Sequence, residues 1–305
     1  MYINDYINAR RFFANTWKIQ LLVLTICTLG TVLYLEFLDD FIKISTTAVT
    51  VLGTALAFFI GFNNAQAYDR WWEARKIWGS IVNDSRSFAR MVLSFYSSGR
   101  EPNGPEDIRR LQERMIYRHI AWLYATKAHL RDHTETKYLA YLNPKERAAV
   151  SGLDHIPNGI QLLQGKALEE AEANGYIDAF RMLAINEMLN RFHDSIGKSE
   201  RIKNTVFPTF YTMLNRIASW TFVAWLPIAL AEYVGYWAII YSFIVGVVYE
   251  LTFVAGGLIM TPFKDHPSGV SISAIVRTIE INLKEMLGEE YLPEPVQAID
   301  GEYIM

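Results

Sequence analysis

The residues best placed to do chemistry here are not acids and bases but a run of rings, small residues and amides. Residues 52–68 read LGTALAFFIGFNNAQAY. Thr54, Phe58 and Phe62 recur every four residues, so on a helix they fall near one stripe. Gly53, Ala55, Ala57 and Gly61 let other helices approach closely. Past Phe62 the stripe turns polar at Asn63, Asn64 and Gln66. Two arrangements fit. In one, the phenylalanines pack the interior of a helix bundle and the amides cap it. In the other, the helix stands around a symmetric pore, the rings forming a hydrophobic constriction and the amides lining a wider vestibule beneath.

Titratable groups offer less. Glu250 is the one carboxylate well inside an apolar stretch, where a charge is costly and functional by default; a structural pairing with a cation or an amide outweighs ion conduction. The six histidines are scattered. His119 lies on an amphipathic face and is expected as a hydrogen-bonded interior histidine. His129 and His133 are four apart and could share a helix face, but Thr134 and Lys137 mark a solvated end, and no metal is expected. No His-Glu-x-x-His or Glu-x-x-His spacing occurs, and His193 follows Glu187 at the wrong interval for one face. Gly159 to Gly165 lacks the lysine and serine of a phosphate loop. No constellation for an enzyme emerges and no cofactor is expected. The single cysteine, Cys27, sits in an apolar run as a small hydrophobe and excludes an intrachain disulfide.

The elements that must position these groups are membrane helices. The chain has 305 residues, 51% hydrophobic and 14% aromatic, with net charge -3, so nucleic acid is not an expected partner. Charge is absent from a few stretches and crowded elsewhere. Crossing a bilayer takes roughly 20 apolar residues as helix. Residues 17–38 and 44–68 qualify, and 217–263 holds two more spans with Glu232 as the turn between them. Arg10, Arg11 and Lys18 before the first apolar run resemble a signal peptide, but EFLDD at 36–40 offers no cleavage site, so the run reads as a retained first span.

Lysines and arginines flank these spans on one side: Arg70, Arg75, Lys76, Arg86 and Arg90, then Lys198, Arg201, Lys203 and Arg216, then Lys264. Both termini and the middle segment are therefore expected in the cytoplasm, with the protein multi-pass in the inner (plasma) membrane. The middle segment is helical: Ile108, Leu111, Met115, Ile116, His119, Trp122 and Leu123 give one apolar face, and further helices are expected at 145–151, 166–174 and 176–191. Turns rich in Gly, Pro and Asn fall at 99–105 and 151–159. The fold class is all-α. Four parts follow: 1–68 with the first two spans, a cytoplasmic region over 69–215, two spans over 216–263, and a cytoplasmic helix and tail over 264–305.

Three stretches carry a resemblance. GFNNAQAYDRWWEARKIWG at 61–79 is similar to the bestrophin family, specifically its bacterial branch. GKSERIKNT at 197–205, followed by Pro208 and Tyr211, resembles the family segment before the third span, and RTIEINL at 277–283, with Leu287-Gly-Glu, resembles its C-terminal helix. The resemblance implies a homopentameric ion channel embedded in lipid, with the second span of each subunit lining a central pore. The family's neck positions carry over to Thr54, Phe58 and Phe62, and a second, cytoplasmic aperture to Ala179. Animal members carry an acidic calcium cluster after a Pro-Phe pair; here Pro262-Phe263 is followed by KDHPSG, so calcium gating is unsupported. Acidic residues that bacterial members tend to have before that pair are replaced by GGLIMT at 256–261, and Thr54 takes the place of a more usual aliphatic residue. Phenylalanine at both Phe58 and Phe62 follows the animal pattern. Ring edges are positive, which implies a weak preference for chloride-like anions. A sodium- or potassium-conducting channel, a non-conducting scaffold and a membrane enzyme are the rivals, in that order.

Overall fold

The computed structural model describes residues 9–41, 43–96, 104–206, 208–299 and 301–304. Helices dominate: α1 (Ala9–Leu33), α2 (Thr46–Phe95), α3 (Gly104–Arg131), α4 (Pro144–Val150), α5 (Ile156–Ala173), α6 (Ala179–Asn204), α7 (Thr209–Val234), α8 (Ala238–Ile259) and α9 (Ile272–Leu287). Among the described residues no strand forms; a lone bridge joins Ile299 and Tyr303. The turn expected at 99–105 lies outside the described residues as far as 103. The chain divides into two compact units, and α2 contributes residues 46–71 to one and 72–95 to the other.

The apolar unit comprises residues 9–71 and 205–261. Three stretches are long and apolar enough to cross a membrane: Phe12–Leu38, Thr46–Phe95 and Thr209–Ile259. The third is two helices. α7 ends at Gly235, whose φ of 58° only glycine adopts without strain, and a 3-10 turn over Gly235–Trp237 leads into α8. Glu232, the turn residue expected from sequence, still lies inside the last turn of α7; backbone handedness, not charge, decides where the chain reverses. Val49, Leu56, Ile60, Phe222 and Phe253 form one cluster of the core, and Val23, Cys27 and Val223 another. Outside, Leu21, Leu29, Phe37, Ile240, Ile244 and Val248 are exposed, an apolar exterior of the kind that marks contact with lipid or protein.

The polar unit comprises residues 72–204 and 262–304. Its core is built on rings: Trp78, Phe88, Trp122 and Phe192 are each at most 1% exposed. α3 buries the face read from sequence, including Ile116, His119, Trp122 and Leu123. α4 starts on a capping box, Asn143 accepting from the Glu146 N–H while the Glu146 carboxylate accepts from the Asn143 N–H. α5 starts at Ile156 with Pro157 in its first turn, so the expected 151–159 turn ends sooner. α6 starts at Ala179 rather than at 176 because the Asp178 carboxylate takes up the Arg181 N–H, fixing the start there. α9 buries Ile272, Val276, Ile279 and Leu283 along one stripe and stops at Gly288, in the left-handed region.

Candidate functional site

The first half of α2 has two faces. Val49, Leu56, Ile60, Asn63 and Ala67 are buried at helical spacing, and Gly53 belongs to the same side. A Cβ at Gly53 would stand 2.7 Å from the Phe222 ring, so only a glycine admits α7 this closely. The Gly53 carbonyl also accepts a hydrogen bond from the Tyr249 hydroxyl of α8 at 3.0 Å. The helix is thus held by its main chain as well as by side chains.

Thr54, Phe58 and Phe62 lie on the other face. Steps of four residues drift by only about 40° each, so the three stay close to one line. Phe58 is 70% exposed and Phe62 49%, whereas Leu56 and Ile60, on the opposite side, are at most 3% exposed. The phenylalanines therefore do not pack this subunit's interior. The Thr54 hydroxyl is satisfied within the helix, donating to the Thr50 carbonyl at 2.9 Å, so its methyl and oxygen line the same exposed strip. Phe62 meets the Tyr211 ring of α7 edge to face at 6.4 Å, and Phe59 meets the other side of Tyr211 at the same distance.

The three amides separate. Gln66 is exposed and shares the side of Phe62. Asn64 is half-buried and donates to the Thr252 carbonyl of α8 at 3.1 Å. A Cβ on Gly256 would fall 1.8 Å from its Oδ1, so Asn64 sits in a notch that glycine leaves open. Asn63 is 3% exposed and faces the bundle. Ala179 belongs to the polar unit, where it is the exposed first residue of α6 and precedes Phe180, 86% exposed.

Glu250 is 2% exposed. Its partner is the Ser219 hydroxyl, which donates at 2.6 Å, with the Arg216 guanidinium within electrostatic reach. A hydroxyl takes the place of the expected amide, and Arg216 itself rests over the Phe253 ring at 5.4 Å. This carboxylate is structural in this subunit. His119 is the interior histidine that the sequence suggests. Its Nε2 lies 2.9 Å from Ser85 Oγ, Trp122 stacks on it at 5.4 Å, and Phe192 packs at 4.4 Å. Burial pushes its pKa down to about 3, leaving it neutral.

Comparison with known proteins decides what this arrangement belongs to. The profile of the bacterial/fungal bestrophin family matches residues 14–285. The chain belongs to that family. Among its bestrophin relatives, a protein of Ralstonia nicotianae named as a voltage-dependent anion channel-forming protein is 27% identical, covering 91% of this chain and 89% of its own. A Salmonella typhi protein named in the same way is 29% identical over 83% and 80% of the two chains. A crystal structure of a bacterial bestrophin homologue from Klebsiella pneumoniae superposes with a TM-score of 0.82 at 21% identity, covering 89% of this chain and 98% of that one. The bestrophin fold thus extends over both units.

Proposed function

We propose that this chain forms an anion channel of the bestrophin type, assembled as a homopentamer around α2. The observation that carries this reading is the exposed strip Thr54, Phe58 and Phe62, set opposite a fully buried face on one helix. Large rings left uncovered on a tightly packed helix call for a partner or a pore, and five-fold assembly supplies both. Supporting it, relatives that cover four-fifths or more of the chain are named as anion channel-forming proteins.

In this reading Phe58 and Phe62 make a short hydrophobic neck that ions cross with little water, Thr54 wets its rim, and Gln66 leads into the wider vestibule. Ala179 supplies a second aperture. α1, the first half of α2, α7 and α8 are the four spans, in an inner membrane, with both termini and the polar unit cytoplasmic. The basic residues that flank the spans support that orientation. Ring edges with partial positive charge favour a partly dehydrated anion.

The test is ion flux through purified protein in liposomes under a potassium chloride gradient. A reversal potential near the chloride equilibrium supports the proposal. One near the potassium equilibrium keeps the channel and overturns its selectivity, and an absence of flux favours a scaffold.

A further inference from the structure

Three side chains from three helices converge in the polar unit, away from every residue assigned above. His129 lies in the last turn of α3, His155 is the residue on which α5 begins, and Glu200 lies near the end of α6. Their donor atoms all lie within 4.8 Å of one another. Glu200 Oε1 is 2.9 Å from His129 Nε2 and 2.5 Å from His155 Nε2, and the two ring centroids are 4.6 Å apart. His133, the partner at helical spacing from His129, turns instead toward Asp265 at 3.6 Å.

We propose that His129, His155 and Glu200 form a site for a divalent transition metal of the zinc class. Two imidazole nitrogens and one carboxylate oxygen are a donor set that suits zinc, and three protein ligands leave a fourth position for water. Ligand atoms around a tetrahedral ion with bonds of 2.0–2.2 Å stand about 3.3 Å apart. The present spacings of 2.9 and 2.5 Å reach that by shifts of under about 1 Å. The cluster has the contracted form expected when one carboxylate oxygen holds two rings together. Each side chain is a quarter to a third exposed, open enough for an ion to enter.

The surroundings favour loading. Burial and the neighbouring His155 lower the pKa of His129, keeping its ring in the neutral form that metals bind. The nearest lysine, Lys203, is spent on Asp132 at 2.5 Å and on the His129 carbonyl at 2.7 Å. A cavity of about 220 Å³ lined by His129, Asp154, Ile156 and Pro157 adjoins the cluster and has room for the fourth ligand. One contact opposes binding: His155 Nδ1 accepts the Asn158 N–H at 3.1 Å, which puts the ring proton on Nε2. A metal on Nε2 moves that proton to Nδ1 and gives up this cap of α5.

Cobalt(II) titration of the full chain, purified in detergent and stripped with chelator, tests the proposal. We expect one cobalt per chain with the intense visible bands of a four-coordinate ion, displaced by zinc. Affinity falls by more than about tenfold in Glu200→Gln and in His155→Gln, and stays the same in His133→Ala. Zinc raises the melting temperature of the wild type and not of Glu200→Gln, a readout that stands even if the histidine variant does not fold. Weak six-coordinate bands, no cobalt binding, or equal affinity in wild type and Glu200→Gln would each overturn the site.

Discussion

Phe62 and Tyr211 meet edge to face, ring centroids 6.4 Å apart at 77°, whereas Phe58 touches no ring from another helix among the described residues. Of the two neck rings, one is braced by α7 and the other is held only by its own helix. Their substitutions should therefore differ in kind. Phe58→Ala removes an unbraced ring and is expected to raise single-channel current. Tyr211→Ala removes a contact worth about 0.5–1.5 kcal/mol, leaves Phe62 free to change rotamer and broadens the open-channel current, while Tyr211→Phe does neither. Planar-bilayer recording checks both, and unchanged current in Phe58→Ala would exclude that ring from the constriction.

Gly256→Ala places a methyl 1.8 Å from Asn64 Oδ1. Overpacking of this kind costs about 1–3 kcal/mol, and the amide must leave the Thr252 carbonyl to relieve it. Thermal melting in detergent should show the loss in Gly256→Ala and its partial recovery in the double variant with Asn64→Ala. Strict additivity of the two substitutions would mean that the notch is not shared.

In the polar unit, Arg118 Nε sits 2.5 Å from Glu146 Oε1, both side chains about 5% exposed, and Arg114 adds a second contact at 3.1 Å. Burial pushes the Glu146 carboxyl up, but the Asn143 N–H and the two guanidiniums outweigh it and hold the group below its ordinary 4.5. A depressed carboxyl contributes stability that is complete above the unfolded value and is lost as pH falls through the folded one. Acidification below about 4.5 should therefore erode stability in the wild type and less in Glu146→Gln. At neutral pH Glu146→Gln strands a buried guanidinium, at a cost of about 3–5 kcal/mol, and a Glu146→Leu, Arg118→Met pair should restore most of it.

His119 gives a separate pH signature. Its folded pKa is about 3 against an ordinary 6.5, so the unfolded chain takes up the extra proton in between. Stability is complete above about 6.5 and drains toward pH 3, at a slope of roughly 1.4 kcal/mol per pH unit for this one proton. His119→Phe keeps the aromatic contacts and should flatten melting temperature against pH between 7 and 5. An unaltered slope would assign the effect to other groups.

Helical periodicity made much of this legible before any coordinates. The stripe of Thr54, Phe58 and Phe62 is a matter of counting in fours, and the exposure of the rings then separates the two arrangements that counting leaves open. Counting also explains where proximity in sequence misleads. Asn63 is adjacent to Phe62 yet about 100° around the helix, which turns it into the bundle, while Gln66, four residues on, stays with the rings. The reversal at Gly235 was hidden by the more conspicuous charge of Glu232. The cluster of His129, His155 and Glu200 could not be read at all. Its members are 26 and 45 residues apart, on three helices, and motif spacing detects only ligands that share one local element.

The Tyr249 hydroxyl grips α2 through the Gly53 carbonyl, a main-chain atom that every residue type provides. Together with Leu56 and Ile60 on the buried side, this places the anchorage of the helix on atoms that its outer face does not supply. Thr54, Phe58 and Phe62 are consequently cheap to exchange: swapping them costs the subunit little packing. A lineage can explore new permeation properties along this strip without first acquiring compensating changes in the rest of the bundle. Robustness of the scaffold and evolvability of its conduction are separated on two sides of a single helix.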